Sequence, residues 1–165
     1  MPPPLSRAFQ ALADRVVAEY RAALGDDLVA IALFGSVARG QARPDSDLDL
    51  YVVTRLPILG DPRLRATWEH IDASPEYQAL VTAGYRPTPS PVLHTADELR
   101  CHSWILLDIT DHGIVLHDPA GVLERELNAV RRRMAELGSR RVELPDGSWY
   151  WDLKPDWRPG EVVDL

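Results

Sequence analysis

The sequence predicts a domain of mixed helices and strands, α/β or α+β, and three observations carry that reading. Residues 5–24 repeat apolar positions at helical spacing. Short continuous apolar runs at 28–34 and 48–53 have the length and glycine or turn flanks of buried strands. The composition, 45% apolar and 26% charged over 165 residues, suits one folded domain of ordinary size.

Taken in order, Leu5, Phe9, Leu12, Val16, Tyr20 and Leu24 recur at steps of three and four, which makes 5–24 an amphipathic helix stopped by Gly25. "LVAIALF" (28–34) is the first strand. "VARG" is one or two helical turns with Ser36 at the N-cap position, and "QARPDS" is a turn-rich loop held extended before Pro44. "LDLYVV" (48–53) is the second strand. Two helices follow over 62–72 and 75–83, with Pro62 and Pro75 in first turns and Asp61 and Ser74 as caps. The proline-punctuated "YRPTPSPVLHT" carries an edge strand near 91–94. Residues 96–111 have a helical pattern that offers Leu99, Trp104, Leu107 and Ile109 for burial. "GIVLHD" (113–118) is a further strand, and 121–137 is a helix ended by Gly138. "RRVELPDGSWYWDL" reads as a β-hairpin about Pro-Asp-Gly, with Trp149 and Trp151 on one face and Tyr150 on the other. An extended tail closes the chain.

The charge balance narrows the function. A net charge of -7 argues against a broad nucleic-acid surface, while a local basic patch stays open. The three arginines at 131–133 span most of a helical turn and fan out as a solvated face. Cys101 is the one cysteine, so there is neither an intrachain disulfide nor a cysteine metal cluster, and a reducing compartment is expected. The beginning "MPPPLSRAF" lacks the apolar core of a secretion signal and no run reaches membrane-spanning length, so the expected location is cytoplasmic, with no membrane partner.

The chemistry concentrates in "LFGSVARGQARPDSDLDLYVV" (33–53). Aspartate is a poor strand former, and two aspartates at alternate positions of one strand face the same way and repel. Asp47 and Asp49 are therefore candidate ligands for a hard cation, Mg²⁺ or Mn²⁺, which takes oxygen donors and fills its other positions with water and phosphate. Upstream, Gly35 lets a phosphate approach the backbone, and the Ser36 hydroxyl and the N–H groups of the helix start can donate to it. The ten residues between Ser36 and Asp47 allow a short helix and a return loop, which brings both halves to one sheet edge. Arg39 is a candidate phosphate contact. Ser46 shapes the turn and is a candidate nucleotide-site or aspartate hydrogen-bonding group. His102, His112 and His117 have no metal-ligand spacing.

This constellation, Gly35-Ser36, ten residues, Asp47-Leu48-Asp49, resembles the polymerase β-like nucleotidyltransferase superfamily, in particular its minimal nucleotidyltransferase (MNT) branch. The resemblance extends over roughly residues 5–95. It implies a mixed sheet with helices against it in a nucleotidyltransferase domain (1–118), and a C-terminal helix and β-hairpin extension (119–165) packed on the same domain. It also implies Mg²⁺ (or Mn²⁺) at Asp47 and Asp49, a nucleoside triphosphate such as ATP at Gly35, Ser36, Arg39 and Ser46, and nucleotidyl transfer with loss of pyrophosphate. Family members usually add a third carboxylate from a neighbouring strand. Here the candidate strand offers His94 and no acid, so His94 is a candidate stand-in, with Asp97, Glu98, Asp108 and Asp118 nearby in sequence. The spacing is similar to that of MNT antitoxins, which pair with HEPN-type toxins and add AMP to a tyrosine. That implies an antitoxin role, with a HEPN-type toxin as protein partner. A module that binds a nucleotide or toxin without turnover is the alternative from another class, and transfer to a small molecule such as an aminoglycoside is a further one.

Overall fold

The computed structural model describes residues 6–165. Leu5, the first apolar position of the expected opening helix, lies outside the described residues. Ser6 caps helix α1 (Arg7–Leu24), its hydroxyl accepting from the Phe9 N–H at 3.4 Å. The predicted stripe is the buried one: Phe9, Leu12, Val16, Tyr20 and Leu24 all face the core. Strands β1 (Leu28–Leu33) and β2 (Leu48–Thr54) flank the short helix α2 (Gly35–Ala38). Asp61 and Ser74 cap α3 (Pro62–Asp72) and α4 (Pro75–Thr82) as their side chains suggest, accepting from the N–H groups of Arg63 and Tyr77.

Strand β3 (Pro89–Thr95) is longer than the predicted 91–94. It lies at the edge of a four-stranded sheet of order β3-β2-β1-β4, where prolines remove no needed ladder bond. β2 runs antiparallel to β1 and parallel to β3, and β1 runs antiparallel to β4 (Ile114–His117). The single helix expected over 96–111 is two, α5 (Ala96–Leu99) and α6 (Ile105–His112). The break has a local cause. Thr95 and Glu98 form a reciprocal capping box around one turn, and His102 takes a left-handed backbone at φ 43°. Trp104, expected to bury, is 68% exposed beyond the break.

Helix α7 (Val122–Leu137) ends at Gly138, whose φ of 68° suits the left-handed C-terminal cap. Strands β5 (Arg140–Glu143) and β6 (Trp149–Asp152) form the expected hairpin as a separate two-stranded sheet. Trp149 and Trp151 share a face, their rings edge-on with centroids 6.0 Å apart, and Tyr150 is exposed.

Two apolar layers sandwich the main sheet. On one face Ile31, Leu33, Leu48, Leu50 and Val52 meet α1, α3 and α4 through Leu12, Val16, Ile71 and Leu80. On the other, Ala30, Ala32, Tyr51 and Val53 meet α5, α6 and α7 through Leu99, Leu106, Ile109, Leu123 and Leu127. Strand alternation thus sets the odd-numbered residues of β2 on the α6 side. No helix among the described residues is long and apolar enough to cross a membrane.

Candidate active site

The end of β1, the start of β2 and helix α2 converge at one edge of the sheet. Phe34 N–H donates to the Asp49 carbonyl at 3.0 Å and locks the two strand ends together. Gly35 then turns the chain with φ 71° and starts α2, so Phe34 rather than Ser36 is the N-cap. Ser36 sits inside the first turn. Its hydroxyl lies 3.0 Å from that of Ser46, which also accepts the Arg43 N–H at 2.8 Å. This pair of bonds closes the loop between α2 and β2, and it places Ser46 against Ser36 rather than against an aspartate.

Asp47 is exposed just before β2, and Asp49 is half-buried on the α6 side. Burial, and next the neighbouring Asp47 charge, push the Asp49 pKa above the usual carboxylate value; a hydrogen bond from Ser90 and the Arg39 charge pull it back. Ser90 stands opposite Asp49 in the parallel β2–β3 register. The Arg39 guanidinium donates to His112 Nε2 at 2.9 Å and, through Nε, to Gln41 Oε1 at 3.3 Å.

Residues 15–81, which span α1 to α4, match the family model of the nucleotidyltransferase domain. Among solved structures, a toxin–antitoxin crystal structure with AMP-PNP is similar at 20% identity, covering 76% of this chain and 92% of that one, with a TM-score of 0.45. A tri-AMPylated Shewanella oneidensis HEPN toxin in complex with MNT antitoxin gives 18% identity, 78% and 92% coverage, and a TM-score of 0.42. The toxin–antitoxin complex MntA–HepT gives 18%, 78% and 92%, and 0.41. No curated protein matches. Likenesses of this strength leave the chemistry to the residues themselves.

Within the matched stretch, Gly35, Ser36, Asp47, Asp49, Arg39 and Ser46 gather at the one edge. His94 does not join them. It pairs in register with Val53, four residues along the strand from the Ser90 position, about 13 Å at the usual rise per residue. Its ring lies against Tyr51, with centroids 5.2 Å apart. The four other acids considered as a third carboxylate are engaged elsewhere. Asp97 pairs with Arg100 at 3.2 Å, and Glu98 completes the α5 capping box. Asp108 accepts from Trp151 Nε1 at 3.0 Å, and Asp118 accepts the N–H groups of Val122 and Glu124 at the start of α7.

Among the described residues no group of three or more His, Cys, Asp or Glu is placed to hold a metal ion. Two like-charged carboxylates with no cation bonded between them still fit a hard divalent cation. Mg²⁺ needs only one or two carboxylates when water and phosphate oxygens complete its shell. Asp47 and Asp49 could hold it, with the Ser90 hydroxyl beside them. Ser90 escaped the sequence reading, and His112 entered it only as a histidine without metal-ligand spacing. Strand register reveals the first, and a contact across 73 residues of sequence reveals the second.

Proposed function

We propose that this chain is a Mg²⁺-dependent nucleotidyltransferase that moves NMP, most simply AMP from ATP, to a hydroxyl of a partner protein. One observation carries the reading: the Asp47–Asp49 pair opens onto the Gly35-Ser36 turn, whose glycine backbone lies directly under the Asp49 carboxylate. Phosphate oxygens approach the turn through the Ser36 hydroxyl and the N–H groups at the start of α2, and the Arg39 guanidinium adds a fixed positive charge. Asp47 and Asp49 would hold Mg²⁺, which supplies charge neutralisation for the polyphosphate and activation of the attacking oxygen. The acceptor oxygen bonds to the α-phosphorus as the α–β phosphoanhydride bond breaks, and pyrophosphate carries away the negative charge. The acceptor's proton passes to solvent.

The partner class, a HEPN-type toxin with this chain as its antitoxin, follows from the motif resemblance. The test incubates the protein with Mg²⁺ and α-labelled ATP, with and without a small helical protein encoded by a neighbouring gene. Label on that partner, lost in Asp47→Asn and Asp49→Asn, supports transfer. The second reading, a module that binds nucleotide or toxin without turnover, draws on Ser90 standing where a strand-borne third carboxylate would face Asp49. Tight complex formation with no label, unchanged in both variants, would establish it instead. Label on an added aminoglycoside would redirect the acceptor to small molecules.

A further inference from the structure

We propose that His112 is a positioning residue, which holds the Arg39 guanidinium at the phosphate-binding turn and couples it, through Asp111 and Arg141, to the C-terminal hairpin. The proposal rests on the nucleotidyl-transfer reading and adds a residue that the local motif does not contain.

Arginine is always a donor, so the 2.9 Å contact makes His112 Nε2 the acceptor and leaves the imidazole proton on Nδ1. That nitrogen faces Asp111 Oδ2 at 3.4 Å. The ring is 6% exposed at the end of α6, whose Leu106, Leu107 and Ile109 are fixed in the core. Burial, and then the Arg39 charge, disfavour a charged ring, outweighing the bond to Asp111 and the charges of Asp108 and Asp111. A neutral acceptor is what the Arg39 contact requires. Arg39 in turn lies close enough to Asp49 for its charge to act on that carboxyl.

The other side of the chain of bonds reaches the hairpin. Arg141 Nη1 donates to Asp111 Oδ2 at 3.0 Å, Nη2 donates to Glu143 at 2.7 Å, and the guanidinium lies 5.5 Å from the Trp149 ring centroid. Trp151 Nε1 donates to Asp108 one turn earlier on α6. Two side chains of the hairpin therefore grip the helix whose last residue orients Arg39. A pre-oriented guanidinium loses less freedom when phosphate binds, so the brace acts on nucleotide affinity.

The test measures binding of Mg²⁺ and a non-hydrolysable ATP analogue by wild type, Arg39→Ala, His112→Ala, His112→Gln and the Arg39→Ala/His112→Ala double variant. His112→Ala should weaken binding about tenfold, the scale of one charge-assisted hydrogen bond. His112→Gln, which keeps an acceptor for Arg39 and a donor for Asp111, should restore most of it. The double variant should be no weaker than Arg39→Ala alone, a coupling that general damage to the core would not produce. Losses that multiply, or full affinity in His112→Ala, would overturn the proposal. If His112→Ala fails to fold, exposed Arg141→Ala replaces it, with about a threefold loss expected in wild type and none in the Arg39→Ala background. Wild type that binds no nucleotide would end the transferase reading alone. The pairing is then judged by the imidazole ¹⁵N spectrum, where the His112 Nε2 resonance must move on Arg39→Ala, and an unmoved resonance overturns it.

Discussion

Gly35 and Asp49 are in such close apposition that a Cβ on the glycine would lie 1.9 Å from Asp49 Oδ2 and 2.8 Å from its Cγ. The backbone conformation, φ 71°, strains any other side chain as well. The atoms in the way are the far end of one side chain, so Gly35→Ala should fold and displace the carboxylate. A shift near 1 Å at a reacting centre costs about a hundredfold in rate, and the strained φ about 1–3 kcal/mol in stability. Label transfer and thermal melts check both numbers; wild-type transfer by this variant would show that Asp49 needs no fixed position.

The acid pair trades stability for function. Burial and then the Asp47 charge raise the Asp49 pKa in the folded chain. A carboxyl raised in this way contributes its stability below the unfolded value and loses it as pH climbs through the folded one, so at neutral pH the ionised group costs stability. Asp49→Asn should therefore melt higher than wild type at pH 7.5, with the gap closing toward pH 3, while turnover disappears. Turnover in wild type should fall on the acid side as Asp49 takes up a proton, and added Mg²⁺ should move that limb to lower pH, because cation and proton compete for one carboxylate. Chelation of the cation should stop label transfer in every variant.

The legible parts of this molecule are those with local causes. Asp61 and Ser74 cap helices because each side chain reaches an N–H two or three residues on. Alternation in β2 set Leu48, Leu50 and Val52 against one core and left Asp49 and Tyr51 for the other side. Gly35-Ser36 and Asp47-Leu48-Asp49 meet because a short turn and loop can hardly put them elsewhere. The misread parts have causes that the apolar spacing does not carry. Leu99, Leu107 and Ile109 fit one helix by spacing, and all three are buried, yet the chain breaks between them at His102, whose partners lie at Glu126 and Leu165. Ser90 faces Asp49 only because β3 starts at Pro89 and runs parallel to β2, a register no local pattern encodes.

Ser36 offers a sharper test of the phosphate turn than its neighbours do. Its hydroxyl is tied only to Ser46 at 3.0 Å, so it can redirect to a phosphate oxygen while the buried Ser46 keeps the Arg43 N–H. Ser36→Ala should weaken ATP binding by about 1–3 kcal/mol, the range for a hydrogen bond to a charged acceptor. Ser46→Ala should cost less in affinity and more in stability, because Ser46 also accepts the Arg43 N–H that closes the loop. Equal ATP affinity in wild type and Ser36→Ala, measured by titration calorimetry, would reduce Ser36 to a turn residue.

His102 makes the position of the tail depend on pH. Nδ1 lies 2.9 Å from the Leu165 backbone oxygen, and Nε2 lies 2.9 Å from Glu126 Oε2. Both partners are acceptors, so the imidazole serves them together only when both nitrogens carry protons. Burial opposes the charge, but the bonds to Glu126 and Leu165 outweigh it and raise the pKa above the ordinary 6.5. A histidine raised on folding stabilises fully below its unfolded pKa and loses that contribution as pH rises through the folded value. The segment after β6 should therefore be held at pH 6 and progressively loosened as pH rises through the raised His102 value. Limited proteolysis across that range reads the release directly. His102→Asn tolerates the left-handed backbone but is too short to bridge both partners. It should be cleaved at pH 6 as fast as wild type is at alkaline pH; a wild-type cleavage rate that stays flat with pH would show that the tail is held by Arg133, whose Nε donates to the Asp164 carbonyl at 2.8 Å, and not by His102.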